Sequence, residues 1–276
     1  MSKKSFFISV CFCAFVARAG YLETIQVSSE AMKKDIPVSV IFPDAYKTAG
    51  DRRYPVIYVL HGAGGDYKTH AQSGHLIYGL VDQYGVIAVM PDGARTSWWL
   101  DSPVDPTMKY ETFTAKELVA YIDKTYRTLA LREKRGITGG SMGGHGACFL
   151  ALRNKQVYGA VGNIFGGVDM RPFPDNWDIK KRLGTIQEHP DYWERYSVIT
   201  LAKDLKNHEL SLVTMIGNKD FFLGVNRSLH QMLADNGVEH YYIEAQGAHT
   251  GEFAKEAYPV MFRFISTYFS EGRGHL

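Results

Sequence analysis

Ser141 stands in Gly139-Gly140-Ser141-Met142-Gly143-Gly144, a G-x-S-x-G pattern. The residues before it, Gly136-Ile137-Thr138, read as a strand. Those after it, from His145 to Leu152, read as a helix. A serine on such a strand-to-helix turn is strained and exposed, and flanking glycines let strand and helix approach without Cβ clashes. A helix N-terminus also favours negative charge developing beside it. These features suit a serine that attacks an acyl carbon.

A serine hydroxyl is a weak nucleophile at neutral pH and needs a base. Of ten histidines, His249 has the fitting context. It follows the last strand, in Gln246-Gly247-Ala248-His249-Thr250-Gly251, and precedes the final helix. His145 is too close to Ser141 along the helix to aim at it. His70, His75, His189, His208, His230, His240 and His275 read as surface or packing residues. The base in turn needs a carboxylate to hold its tautomer. Asp220 follows the strand Leu210–Ile216 and gives the order Ser, Asp, His expected of α/β-hydrolases. Asp169, after the strand Tyr158–Phe165, is its rival.

The tetrahedral anion requires two preorganised donors. One is the amide of Met142. The other comes from His61-Gly62-Ala63-Gly64-Gly65, with the amide of Ala63 preferred over those of Gly62 and Gly64. That loop lacks the G-x-x-x-x-G-K-[ST] pattern of a phosphate cradle. His61 and Gly62 are further expected to contact substrate, and adjacent Trp98 and Trp99 to wall an acyl or sugar group. Neither HExxH nor paired Cys/His spacing occurs, so no metal or other cofactor is expected.

Elements that could position these residues are visible in the pattern. Pro55–Leu60, Gly85–Met90, Tyr158–Phe165 and Leu210–Ile216 are continuous apolar runs, the mark of strands covered on both faces. His240–Ile243 is the last strand, and residues 21–54 are expected to supply antiparallel leading strands. Helical periodicity falls between them: at Thr112–Tyr126, with a capping box from Thr114 and Glu117, and at Ser228–Asp235. A stripe from Val260 to Tyr268 marks a last helix, which Pro259 should start or kink. Alternation of this kind predicts an α/β sandwich with a mostly parallel sheet. Residues 168–208 read as a small cap-like insertion in a single domain spanning 20–276.

The chain has 276 residues, 45% hydrophobic and 22% charged, with a formal charge of +2. That balance offers no field for nucleic acid or an anionic membrane. Lys3 and Lys4, the short apolar run Ser5–Val16 and the exit Ala17-Arg18-Ala19 read as a signal peptide cleaved after Ala19, which makes the protein secreted or periplasmic without membrane insertion. Cleavage removes three positive charges and takes +2 to −1. It also removes Cys11 and Cys13, leaving Cys148 as a buried thiol and no intramolecular disulfide.

The motifs Leu60–Gly65, Pro91-Asp92-Gly93, Ser97–Pro103, Tyr110–Phe113 and Ile137–Ala147 together resemble the esterase D family of α/β-hydrolases. That family includes S-formylglutathione hydrolases, tributyrin-type esterases, feruloyl and acetylxylan esterases and antigen 85 mycolyltransferases. The resemblance runs from about Val38 to Phe269, with a departure at Gly140, where many relatives carry a larger residue. It implies a serine esterase with the same nucleophile, base, acid and oxyanion amides, acting on short acyl or hydroxycinnamoyl esters. A small ester or an acylated carbohydrate is the expected partner. Transfer of the acyl group to a sugar, a thioesterase activity and a non-catalytic carbohydrate-binding role are the alternatives.

Overall fold

The computed structural model describes residues 20–276. The signal-peptide reading falls on residues 1–19, outside the described residues. Eight strands form one sheet in the order β1-β2-β4-β3-β5-β6-β7-β8. They are β1 (Tyr21–Ser29), β2 (Lys34–Phe42), β3 (Val56–Leu60), β4 (Ile87–Pro91), β5 (Arg135–Gly140), β6 (Ala160–Ile164), β7 (Ser211–Gly217) and β8 (Tyr241–Ala245). Strand β2 pairs antiparallel with both β1 and β4, and β3 through β8 run parallel to one another. This is the α/β-hydrolase fold. Strands β3, β4, β5 and β6 are buried along their whole length, which is why their sequences are continuous apolar or glycine runs rather than alternating ones.

Helices cover both faces. They are α1 (Leu76–Tyr84), α2 (Tyr110–Thr112), α3 (Leu118–Thr125), α4 (Met142–Arg153), α5 (Ile179–Leu183), α6 (Pro190–Arg195), α7 (Val198–Leu201), α8 (Leu223–Asp235) and α9 (Gly251–Glu271). Two sequence expectations need correction here. A π-helical turn, Phe113–Glu117, joins α2 to α3, so Thr114 is a buried mid-helix residue and caps nothing. Glu117 instead accepts hydrogen bonds from the Ser29 hydroxyl and the Ala31 amide, across the sheet edge. Pro259 does not start the last helix. The Thr250 hydroxyl accepts from the Phe253 amide and caps α9 nine residues before it. Pro259 lies inside α9 on its exposed side, where water can satisfy a carbonyl that has lost its donor.

Residues between β6 and β7 carry α5, α6 and α7 and lean on the loop that follows β4. Tyr196 donates to the Asp101 carbonyl, Ser102 donates to the Arg182 carbonyl, and Arg182 pairs with Asp105. The carboxyl ends of β3, β5, β7 and β8 open onto one rim, where a parallel sheet gathers the loops that carry chemistry.

Candidate active site

Ser141 occupies the sharp turn between β5 and α4 with φ 59° and ψ −119°. That left-handed angle is costly for a residue with a Cβ and persists only where packing imposes it. The glycines on either side show what imposes it. A Cβ on Gly139 would lie 2.5 Å from the Leu60 carbonyl oxygen, and one on Gly143 only 2.2 Å from it. No side chain fits at either position, so β3, β5 and α4 meet backbone to backbone. The Ser141 amide donates to the Ile164 carbonyl, and the Ser141 carbonyl accepts the first helical bond from His145.

His249 Nε2 lies 2.8 Å from Ser141 Oγ, and His249 Nδ1 lies 2.8 Å from Asp220 Oδ2. The Asp220 side chain is fully buried. Its other oxygen accepts from the Phe222 amide at 2.8 Å, so both oxygens are committed. With Nδ1–H donating to the carboxylate, Nε2 turns its lone pair to the serine hydroxyl. The loops after β7 and β8 are laced together by their backbones. Asn218 N–H donates to the Ala245 carbonyl and Lys219 N–H to the Gly247 carbonyl, each at 2.8 Å. Asp220 and His249 are therefore carried by one unit. Asp169 takes no part. It pairs with Arg171 and accepts from the Ser197 hydroxyl.

The loop after β3 is held just as firmly. Gly64 N–H donates to the Arg95 carbonyl and Gly65 N–H to the Gly62 carbonyl. The amides of Ala63 and Met142 donate to nothing among the described residues. A Cβ on Gly62 would lie 3.3 Å from the Ser141 Cβ and 4.0 Å from Oγ, so Gly62 borders the serine directly.

Three expected substrate contacts are corrected. His61 is buried; its Nε2 accepts from the Gly93 amide and its Nδ1–H donates to the Gly62 carbonyl. Burial lowers its pKa, and the neutral ring serves as a brace for the loop. Trp98 and Trp99 are also buried, at 1% and 0% exposure. Both take left-handed backbone angles, φ 55° and 59°, that turn the pair inward. Trp98 Nε1 donates to the Trp177 carbonyl, and its ring packs edge-on to His145. Trp99 Nε1 donates to the His61 carbonyl, and its indole fills the space that a Cβ on Gly93 or Gly146 would claim. Neither offers a face to a ligand: Gly93 and Gly146 leave room only for the Trp99 indole, and the Trp98 indole is buried against His145 and Gly167.

Other aromatic residues border the site. Phe221 is 51% exposed, with its ring centroid 4.2 Å from that of His249. Trp177 stacks on Phe221 at 5.4 Å, and Phe165 lies 4.4 Å from His249. Adjacency to Asp220 was the available signal for Phe221. Beneath them, buried Asn163 and Asn226 hydrogen-bond each other, and Asn226 also donates to the Gly166 and Phe222 carbonyls. Asn226, in an Asn-Arg-Ser sequon, is thus a structural tie rather than a surface residue.

Comparison with known proteins agrees with this geometry. The Esterase family model matches residues 29–261. The chain belongs to the Esterase family. It is similar to Esterase Rv1288 of Mycobacterium tuberculosis (strain ATCC 25618 / H37Rv), 34% identical over 137 residues. That match takes in 49% of this chain and 30% of the relative, so the chain spans under a third of that relative's length. An acetyl esterase of Caldicellulosiruptor saccharolyticus is 24% identical over 263 residues, 88% of this chain and 97% of that protein. A solved ferulic acid esterase superposes with a TM-score of 0.77 at 23% identity, covering 91% of this chain and 99% of that one. The structural likeness shows the shared fold, and the family match meets the resemblance drawn from the motifs.

Two outcomes follow for this Esterase-family chain. Trp99→Ala should lower the unfolding free energy by about 3–5 kcal/mol, as a large buried aromatic does when truncated; denaturant titration measures this. A wall residue would instead leave stability nearly unchanged. His145 is fully buried, donates Nδ1–H to the Gly167 carbonyl and has its pKa pushed down to about 4 by burial. The unfolded chain takes up that proton near pH 6.5. Stability is thus complete above about pH 6.5 and is lost as pH falls toward 4, at up to about 1.4 kcal/mol per pH unit for this one group. His145→Gln should flatten the slope of unfolding free energy in that window by about one proton. An unchanged slope would show that His145 is not held neutral.

Proposed function

We propose that this chain is a serine carboxylic ester hydrolase acting on short-chain acyl or hydroxycinnamoyl esters, including those carried on plant polysaccharide. The observation that carries this reading is the unbroken hydrogen-bond chain from Asp220 through His249 to Ser141, at 2.8 Å per link. Beside it stand the amides of Ala63 and Met142, which have no acceptor among the described residues. The related acetyl esterase and the ferulic acid esterase of the same fold support the substrate class. So do Phe221, Trp177 and Phe165, which give the site an apolar aromatic flank next to the base. The charged start, apolar run and small-residue exit within residues 1–19 support export to the periplasm or beyond.

The chemistry runs in two halves. Ser141 Oγ attacks the ester carbonyl carbon while His249 Nε2 takes the hydroxyl proton. The carbonyl oxygen becomes an oxyanion held by the amides of Ala63 and Met142. Asp220 keeps the imidazolium oriented and compensates its charge. When the tetrahedral species collapses, the bond to the alcohol oxygen breaks, and that oxygen leaves with the proton from Nε2. The acyl group is now on Ser141. Water then gives a proton to Nε2 and attacks the acyl carbon. Collapse releases the carboxylic acid and returns the proton to Ser141.

Ser141→Ala should abolish turnover of 4-nitrophenyl acetate in a folded protein. Asp220→Asn should lower kcat on the order of 10³- to 10⁴-fold, because the imidazole loses the partner that fixes its tautomer. A larger loss in Asp169→Asn than in Asp220→Asn would show that the acid is misassigned.

A further inference from the structure

Gly140, the residue before the nucleophile, is where the motif around Ser141 departs from many relatives, and the reaction steps give that glycine no role. A Cβ there would lie 3.2 Å from Phe165 Cε2 and 3.6 Å from Phe165 Cζ. The Phe165 ring therefore takes the room that a side chain at position 140 would claim. The same ring lies 4.4 Å from the His249 imidazole, centroid to centroid, and Phe165 is only 4% exposed. One buried ring thus meets both the turn that carries the nucleophile and the base that activates it.

Phe165 reaches this place through a strained backbone. It follows β6 directly with φ 38°, a left-handed angle that a bulky residue rarely adopts. Such strain persists where neighbouring structure over-determines it, and it gathers at active sites. The chain on each side of Phe165 is pinned. The Ile164 carbonyl accepts from the Ser141 amide, and the Phe165 amide donates to the Met215 carbonyl. The Gly166 amide donates to Asn163 Oδ1, and the Gly166 carbonyl accepts from Asn226 Nδ2, each at 2.8 Å. Asn163 Nδ2 donates to Asn226 Oδ1, and Asn226 Nδ2 donates also to the Phe222 carbonyl. The Phe222 amide in turn holds Asp220. The buried asparagine pair so couples the Phe165 turn to the loop of the acid.

We propose that Phe165 is a positioning residue for the base: its ring, seated over Gly140 and locked in place through the Asn163–Asn226 pair, backs the His249 imidazole and holds it in line between Asp220 and Ser141. This assignment rests on the ester-hydrolase reading above. A ring this close also attracts the imidazolium that forms when Nε2 takes the serine proton, and attracts the neutral imidazole less. Both effects act on the chemical step. With so little of its surface open, Phe165 contributes little to holding substrate.

The test uses 4-nitrophenyl acetate. Phe165→Leu keeps an apolar side chain in place but removes the ring, and should lower kcat by about tenfold while KM stays within about twofold. Phe42→Leu is the packing control. It removes a buried ring of β2 that packs among Tyr21, Tyr46 and Tyr126, at the other side of the sheet, and should leave kcat unchanged. Gly140→Leu should displace the Phe165 ring and lower kcat by at least about tenfold. Adding Phe165→Ala to it gives the leucine the vacated room and should raise kcat by at least about threefold over Gly140→Leu alone, the non-additivity expected of two groups that compete for one space. Should Gly140→Leu not fold, Gly140→Ala, whose Cβ would press on Cε2 at 3.2 Å, makes the same comparison. A kcat that Phe165→Leu lowers no more than Phe42→Leu does, or a double variant no faster than its residue-140 parent, would overturn the positioning role and leave the esterase reading intact. Failure of the unsubstituted protein to turn over the ester would overturn the esterase reading itself, and the positioning role with it.

Discussion

The backbone of Ser141 sits in a left-handed conformation that its own Cβ disfavours, and the surrounding architecture is arranged to hold it there. The strand before and the helix after are packed so closely against the end of β3 that Gly139 and Gly143 have no room for a methyl group. The Leu60 carbonyl is the surface both glycines press on. Strain of this kind persists only when neighbouring structure over-determines it. Here the neighbours are three buried strands and the first turn of α4. The result is a hydroxyl lifted clear of the sheet, with the Met142 amide at its side and a helix N-terminus beneath it.

The remaining parts of the site are tied to that turn through backbone rather than side chains. Asp220 and His249 lie on separate loops, yet the hydrogen bonds from Asn218 and Lys219 make those loops move as one. The Ala63 loop is fixed by Gly64 and Gly65 amides and by the neutral ring of His61. Preorganisation of this kind lets donors meet developing charge without rearrangement at the moment of reaction. It also explains the density of buried neutral histidines near the rim. His61 supplies a donor and an acceptor at fixed directions, His145 a donor to the Gly167 carbonyl, and burial lowers the pKa of both.

Much of this was legible locally. The glycine spacing around Ser141, the placement of Asp220 and His249 past strand ends, and the continuous apolar strands all follow from short-range rules of sterics and burial. Trp98 and Trp99 were not legible in that way. A loop tryptophan becomes core or wall according to what faces it, and Trp99 packs on Gly146 while Trp98 meets Met142, both distant in sequence. His61 misled for the same reason. Its partner, the Gly93 amide, belongs to the loop after β4. Pro259 was read by its usual local effect, but an exposed helix face tolerates a proline that a buried one would not. Trp177 reaches the site only because residues between β6 and β7 fold back over the rim, which no periodicity signals.

Covalent trapping of Ser141 tests the central claim most directly. Folded protein treated with an alkyl fluorophosphonate should gain the mass of one adduct, peptide mapping should place it on Ser141, and His249→Ala should slow the labelling by orders of magnitude. Folded protein that gains no adduct, or gains one elsewhere with Ser141 unmodified, would contradict the account.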